Sequence, residues 1–275
     1  MPVFVSKFGG TSLSAGERFL NVLNIVKEHP LRRFIVVSAP GKRFRSDEKI
    51  TDLLLAFHKS RNRSDFEEIR MRFLRISEYA GVSVKEELDE CEESILKGAG
   101  KAYAASRGEY LSAKIFSGMS GFHFLDAKDA IFFKDGAVDE KKTESAVQDA
   151  FQKWEKIVMP GFYGADENGN LFLFPRGGSD TSGAIAAFAL SAQRYENWTD
   201  VDGIFDKDPN IHKNARPLPY LTYPETTSLL SGGASVLHPD AVYWAQKNGT
   251  PIHVKNTFRP ALPGTIIGPS APTFP

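Results

Sequence analysis

Hydrophobic positions in this chain fall into two rhythms that take turns along most of its length. Val3 to Phe8 alternates and is β-branched or aromatic, which predicts a strand ended by Gly9-Gly10. Ser14 with Glu17 three residues on predicts a capping box, and Phe19, Val22, Leu23 and Val26 follow at helical spacing. Phe34 to Ala39 is a continuous apolar run, as in a strand buried on both faces, and Pro40-Gly41 stops it. Strand, glycine turn, helix and buried strand make a βαβ unit. Such units predict a mostly parallel sheet with helices on both sides and a ligand at the carboxyl ends of the strands.

From Ile50 to about Gly100 the pattern is mainly helical, broken at Ala80-Gly81, as for a helical layer over one sheet edge. Ile115 to Phe133 is apolar and glycine-interrupted, and Glu140 to Trp154 reads as a surface helix. Asn168-Gly169-Asn170 predicts a hairpin turn leading into a short buried strand, Leu171 to Phe174. Ala184 to Ala192 is apolar nearly all round, the mark of a helix inside the core. A strand near Trp198 to Val201, helices from Glu225 to Leu230 and Ala241 to Asn248, and a strand at Ile252 to Lys255 follow. Residues 264–275, with Pro269, Pro272 and Pro275, read as a tail without a core-forming pattern.

Two glycine loops stand out because each lies between a strand and a helix: Lys7-Phe8-Gly9-Gly10-Thr11-Ser12 and Arg176-Gly177-Gly178-Ser179-Asp180-Thr181-Ser182. Glycines let backbone amides approach phosphate oxygens, and the following helix aims its free N–H groups and positive dipole end at the same place. In the first loop Lys7 adds a cation; neither a Walker A string nor G-x-G-x-x-G is present. In the second, Arg176 can fork onto a carboxylate or phosphate, and Asp180 can orient a lysine or an ammonium group. The basic stretch Lys42-Arg43-Phe44-Arg45 reads as a solvated loop, with phosphate contact as the alternative.

Composition narrows the ligand. Lys+Arg and Asp+Glu balance at 34 each, so no whole-molecule field recruits nucleic acid or an anionic membrane. No run approaches the ~20 apolar residues of a spanning helix, and the start lacks the pattern of a secretory leader, so a cytoplasmic protein is expected. The matches to the glycosylation pattern at Asn62, Asn197 and Asn248 are then chance. Cys91, the one cysteine, lies in an acidic helical stretch and reads as inert. The carboxylates from Asp200 to Asp208 do not fit a calcium loop, because the glycine falls two places early and Ile211 stands at the bidentate position. That segment reads instead as a strand end and turn meeting a nucleotide, with Phe205 as an apolar surface for a base. No cluster has metal-ligand spacing, and His238 reads as structural.

Taken together these strings resemble the aspartate kinases of the amino-acid kinase fold. The resemblance runs through Lys7 to Ser12, Val37 to Lys42, Thr51 to Leu54, Ser106 to Ser112, Phe174 to Thr181, Trp198 to Gly203, Gly233 to His238 and Val254 to Thr257. It implies a three-layer αβα sandwich around a mostly parallel sheet, spanning 1–263. Residues 1–170 would form an amino-acid lobe and 171–263 a nucleotide lobe. It also implies an ATP- and Mg²⁺-dependent transfer to the side-chain carboxylate of L-aspartate, giving 4-phospho-L-aspartate. Lys7 resembles the lysine that neutralises the transferring phosphoryl group, with Gly9, Gly10 and Thr11 beside it and Asp180 holding it. Glu109 resembles the residue that takes the substrate ammonium, and Arg176 the one that takes a carboxylate. Ser38, Thr51 and Ser179 match polar groups lining the aspartate site, while Thr199, Asp200, Phe205 and Ser235 match nucleotide contacts.

The chain departs from the family pattern at Asn210, where relatives commonly have arginine after Asp-Pro, and at Ser235, where many carry lysine. Lys207 and Lys213 are candidates for the missing charge. Relatives usually continue past Gly264 into tandem ACT domains that bind lysine or threonine; with a tail there instead, feedback through such domains is expected to be absent. The resemblance leaves open a homodimer or a monomer. Two other functions remain: a kinase of the same fold acting on another amino acid or acidic metabolite, and a weakly active partner subunit that binds nucleotide or amino acid.

Overall fold

The computed structural model describes residues 2–175, 177–207, 211–232 and 236–270. Its first strand, β1 (Phe4–Phe8), lies mid-sheet because every residue of it is buried and must find partners on both edges. On one edge it pairs in parallel with β2 (Arg32–Val37), and on the other with β9 (Arg194–Thr199). The eight-stranded sheet continues past β2 to β6 (Ile157–Pro160) and β3 (His123–Phe124), and past β9 to β11 (Ile252–Asn256), β12 (Thr265–Gly268) and β10 (Tyr220–Thr222). All of these pairings are parallel except β11 with β12. Winding reverses between β1 and β9, and in such sheets ligands bind at the carboxyl ends of the strands near that reversal.

Side chains of β2 divide by alternation between two apolar cores. Phe34 and Val36 join one core, with Ile185, Ala186, Ala245 and Val254, while Ile35 and Val37 join the other, with Phe19, Leu54, Phe73 and Phe116. The first core is covered by α6 (Glu140–Trp154), α7 (Gly178–Ala189), α8 (Tyr223–Ser231) and α9 (Pro239–Lys247). The second is covered by α1 (Gly16–Lys27), α2 (Ile50–Ser60), α3 (Glu67–Ala80), α4 (Lys85–Leu96) and α5 (Lys101–Ser120). The expected three layers and mostly parallel sheet are both present. Two small hairpins stand outside the sheet: β4 (Phe133–Lys134) with β5 (Ala137–Val138), and β7 (Tyr163–Ala165) with β8 (Leu171–Leu173).

Three expectations change, and one helix, α5, has no counterpart in the sequence reading. The capping box at Ser14 and Glu17 does not form, because a 3-10 turn over Thr11–Leu13 carries Ser14 into a helical conformation and Ala15 becomes the N-cap of α1, with no side-chain cap. α5 carries no readable apolar stripe because most of its positions are buried, small and charged ones included, so periodicity cannot mark a face. Leu171–Leu173 is half-buried in its hairpin rather than a core strand. Residues 265–268, assigned to a tail, form β12: Gly264 turns at φ +70° with no room for a side chain against Val254, and Ile267 is fully buried. Residues 271–275 lie outside the described residues. Cys91 is buried and its thiol pushed up to about 12 by burial, in keeping with an inert role.

The turn after β1 and the loop after β2 meet backbone to backbone. Gly41 N–H donates to the Gly10 carbonyl at 2.8 Å, and a Cβ on Gly41 would fall 2.6 Å from the Gly10 carbonyl carbon. Gly41→Ala is therefore expected to destabilise the protein by about 1–3 kcal/mol through forced backbone displacement, read as a lowered urea midpoint.

Candidate active site

At the carboxyl ends of β1, β2 and β6, facing the first turn of α7, lies a cleft of about 550 Å³. β1 contributes Lys7 and the turn Gly10-Thr11; the loop after β2 contributes Ser38 to Lys42 and Lys49; α2 and α5 contribute Thr51 and Glu109; α7 contributes Gly177 to Asp180. Three lysines and two carboxylates therefore line it among the described residues. Strand ends are stitched below the floor, with Gly9 N–H donating to the Trp198 carbonyl and Gly161 N–H to the Val37 carbonyl.

Lys7 faces α7 because it shares a sheet face with its register partner Asn197 on β9. Its ammonium sits 2.6 Å from Asp180 Oδ1, and both side chains are largely buried. The carboxylate is itself held in place: Asn197 Nδ2 donates to Oδ1 at 3.0 Å, and the His238 backbone N–H donates to Oδ2 at 3.1 Å. Tyr195 hydroxyl donates to the Asp180 carbonyl at 3.0 Å. Gly183 is what lets the helix come this close, since a Cβ there would stand 3.1 Å from Lys7 Cβ and 2.7 Å from the Tyr195 ring. An ammonium so fixed is a preorganised positive charge rather than a mobile one.

α7 begins at the cleft wall with Gly177 at φ +76° as its N-cap, and a side chain there would overlap the His238 ring. The helix thus presents its N-terminal amides and dipole to the cleft. Opposite it, Phe162 adopts φ +79°, a costly conformation for an aromatic residue, held by its amide donating to Ser182 Oγ at 3.0 Å.

Glu109 is 5% exposed and its Oε2 has no hydrogen-bond partner. Burial pushes its carboxyl up to about 8, against the opposing pull of the Ala39 amide, its own amide and the Arg107 charge. A buried carboxyl with one unpartnered oxygen on a cleft wall is set up to receive a cation from a ligand.

Of the residues expected from sequence, Lys7, Gly10, Thr11, Ser38, Thr51, Glu109, Ser179 and Asp180 come together in this cleft, and Gly9 lies just beneath. Thr199, Asp200 and Phe205 lie outside its lining: Thr199 ends the next strand, where its hydroxyl donates to Asp200 Oδ1 at 3.3 Å, and Phe205 bridges to Pro217. Arg176, Asn210 and Ser235 lie outside the described residues. The basic stretch divides, with Lys42 on the cleft wall and Arg43 bound to Asp47 and Glu68. Lys49 and Asn197, the latter read from sequence only as a chance match to the glycosylation pattern, are not among the expected site residues. Asn197 has its signal in the alternation of β9, but pairing it with Lys7 requires knowing that β9 returns beside β1.

The family model described as "Amino acid kinase family" matches residues 2–256. Aspartokinase 3 of Bacillus subtilis is 32% identical over 96% of this chain and 63% of its own length. Aspartokinase 1, chloroplastic, of Arabidopsis thaliana is 31% identical over 96% of this chain and 51% of its own. The crystal structure of Clostridium acetobutylicum aspartate kinase superposes with a TM-score of 0.92 at 36% identity, over 100% of this chain and 64% of that one. The chain thus spans about half to two thirds of the length of these relatives.

Proposed function

The chain belongs to the amino acid kinase family, and from that premise we propose that its cleft transfers the γ-phosphoryl group of ATP to the side-chain carboxylate of L-aspartate. The observation that carries the reading is the Lys7–Asp180 pair at 2.6 Å, facing Glu109 across a cleft bounded by a helix N-terminus. The aspartokinases and the aspartate kinase it is similar to support the choice of aspartate as acceptor.

The acceptor carboxylate is ionised near neutral pH, so no catalytic base is required. Its oxygen attacks the γ-phosphorus, the bond to the β–γ bridging oxygen breaks, and ADP departs with that electron pair. Charge neutralisation and alignment supply the acceleration. Lys7 neutralises charge on the moving phosphoryl group, and Asp180 fixes its position. Gly9, Gly10 and Thr11 furnish the phosphate-side turn. Glu109 takes the substrate ammonium, Arg176 is assigned to the carboxylate, and Ser38, Thr51 and Ser179 line the amino-acid site. Thr199, Asp200, Phe205 and Ser235 are assigned to the nucleotide, one strand over. Under this reading residues 1–170 form mainly the amino-acid side and 171–263 the nucleotide side.

Mg²⁺ fits this donor set as an ion carried on the nucleotide. Among the described residues there is no group of three or more His, Cys, Asp or Glu able to hold a metal, while Mg²⁺ in such sites takes one or two protein carboxylates at most and otherwise phosphate oxygens and water. Bound there it would offset charge on the phosphates. Asp180, the carboxylate that lines the cleft beside Lys7, is the residue that would share in holding it.

The test is ADP release across acceptors. L-Aspartate should support turnover, and N-acetyl-L-aspartate should fail because Glu109 then has no ammonium to bind. Equal turnover with the N-acetylated acid, or turnover on glutamate in preference to aspartate, would displace the assignment. Among the described residues no helix is long and apolar enough to cross a membrane.

A further inference from the structure

On the far side of the loop that carries Lys42 lies a second cavity, of about 180 Å³, between the N-terminus of α1 and one face of α3. The displaced cap described above is what opens it. With Ala15 as N-cap, α1 starts without a side-chain acceptor, and the amides of Gly16 and Glu17 have no hydrogen-bond acceptor among the described residues. Ser14, only 1% exposed, lines the cavity with a hydroxyl that has no partner. Arg72, 3% exposed, lines it too, and its Nε has no partner either.

α3 presents Arg72, Arg75, Ile76 and Tyr79 at helical spacing to the same space. The charges there do not cancel. Arg43 is fully engaged by Asp47 and Glu68, each at 2.8 Å. Arg72 sits 3.7 Å from Asp47, a long contact, and spends its Nη atoms on the carbonyls of Glu48 and Gly41 at 2.6 and 2.7 Å. Burial pulls its guanidinium below the usual value, against the opposing pull of Asp47. Arg75 has no carboxylate within 4 Å among the described residues. The one carboxylate that lines the cavity is Glu17, whose proximity raises the Tyr79 hydroxyl above its ordinary range.

We propose that this cavity is a binding site for a small oxyanion of the phosphate class, separate from the catalytic cleft. Free helix amides and a buried hydroxyl from the start of α1 and two guanidinium groups from α3 line the same cavity, a donor set that suits an oxyanion. The volume admits a phosphate group but not a nucleotide. Occupancy reaches the cleft through Arg72, whose hold on the Gly41 and Glu48 carbonyls braces the loop. Gly41 in turn bonds the Gly10 carbonyl, and Lys42 and Lys49 from that loop line the cleft. The site goes beyond the proposed activity and does not depend on it.

Thermal unfolding with inorganic phosphate, against chloride at matched ionic strength, tests it without any turnover readout. Wild type and Lys7→Ala, which impairs the cleft, should both be stabilised by phosphate beyond chloride. Arg75→Glu, at an exposed position, should keep its far-ultraviolet circular dichroism and lose that stabilisation, with phosphate affinity down roughly tenfold or more. Ser14→Ala should weaken it to a smaller degree. A phosphate effect retained in Arg75→Glu, lost in Lys7→Ala alone, or no larger than that of chloride in wild type would overturn the site.

Discussion

Lys7→Ala should lower kcat by roughly 10³-fold while the KM for aspartate moves less than about tenfold. A single fixed hydrogen-bond donor at the developing charge is worth about 10²–10³ in other enzymes, and a cation delivered to a transferring phosphoryl group can reach 10³–10⁵. Lys7 belongs at that scale because it is buried, lies at the turn that faces the phosphate, and has its position set by Asp180. Asp180→Asn separates holding from charge. It keeps the shape but weakens the ion pair, and should cost less than Lys7→Ala, with a double variant far from additive because the two act as one unit. Steady-state kinetics on the four proteins checks this; additive losses would show that Asp180 acts on its own account.

Glu109→Gln is expected to cost about 2 kcal/mol in aspartate recognition, roughly 30-fold in kcat/KM, with the KM for ATP nearly unchanged. The pH dependence is sharper evidence than the magnitude. Because burial raises this carboxyl to about 8, the free protein holds it protonated at neutral pH, and an arriving ammonium must expel that proton. Aspartate kcat/KM should therefore rise with pH by up to about tenfold per unit and level off above about 8, a limb that Glu109→Gln abolishes. The same shift acts on stability. A carboxyl whose folded value is raised favours the folded state fully below its ordinary value of 4.5, and that contribution fades as pH climbs towards about 8. Glu109→Gln should thus gain on wild type in unfolding free energy as pH rises across that window. Calorimetry of aspartate binding in buffers of different ionisation enthalpy counts the proton directly; no release at pH 7 would mean that Glu109 is already ionised.

Lys7 and Asp180 are legible in the sequence because they sit in short strings fixed by local geometry, whereas Glu109 is reached only through the family resemblance. Lys7 ends an alternating strand at a glycine turn, and Asp180 opens an apolar helix, so each could be placed before any contact was known. What joins them could not. That Lys7, Asn197 and Asp180 meet depends on β9 crossing to the far side of β1, a choice that no local pattern encodes. α5 was hidden for the opposite reason: a helix buried nearly all round loses the periodicity that reveals one, and Glu109 was located by its motif rather than by its helix. β12 was missed because its four residues are framed by proline and glycine, which mark a strand end as readily as a tail. Ser14 and Glu17 have the spacing of a cap, yet the 3-10 turn before them spends that serine, and the cavity beside it follows from that substitution of one local structure for another.

The most direct measurement supplies ATP, Mg²⁺, L-aspartate and excess hydroxylamine, and quantifies aspartyl hydroxamate against ADP. An acyl phosphate formed on the side-chain carboxylate is trapped as the β-hydroxamate, so the two products should appear one for one, and both should vanish in Lys7→Ala. ADP released without hydroxamate, or hydroxamate formed equally well by Lys7→Ala, would contradict transfer to aspartate in this cleft.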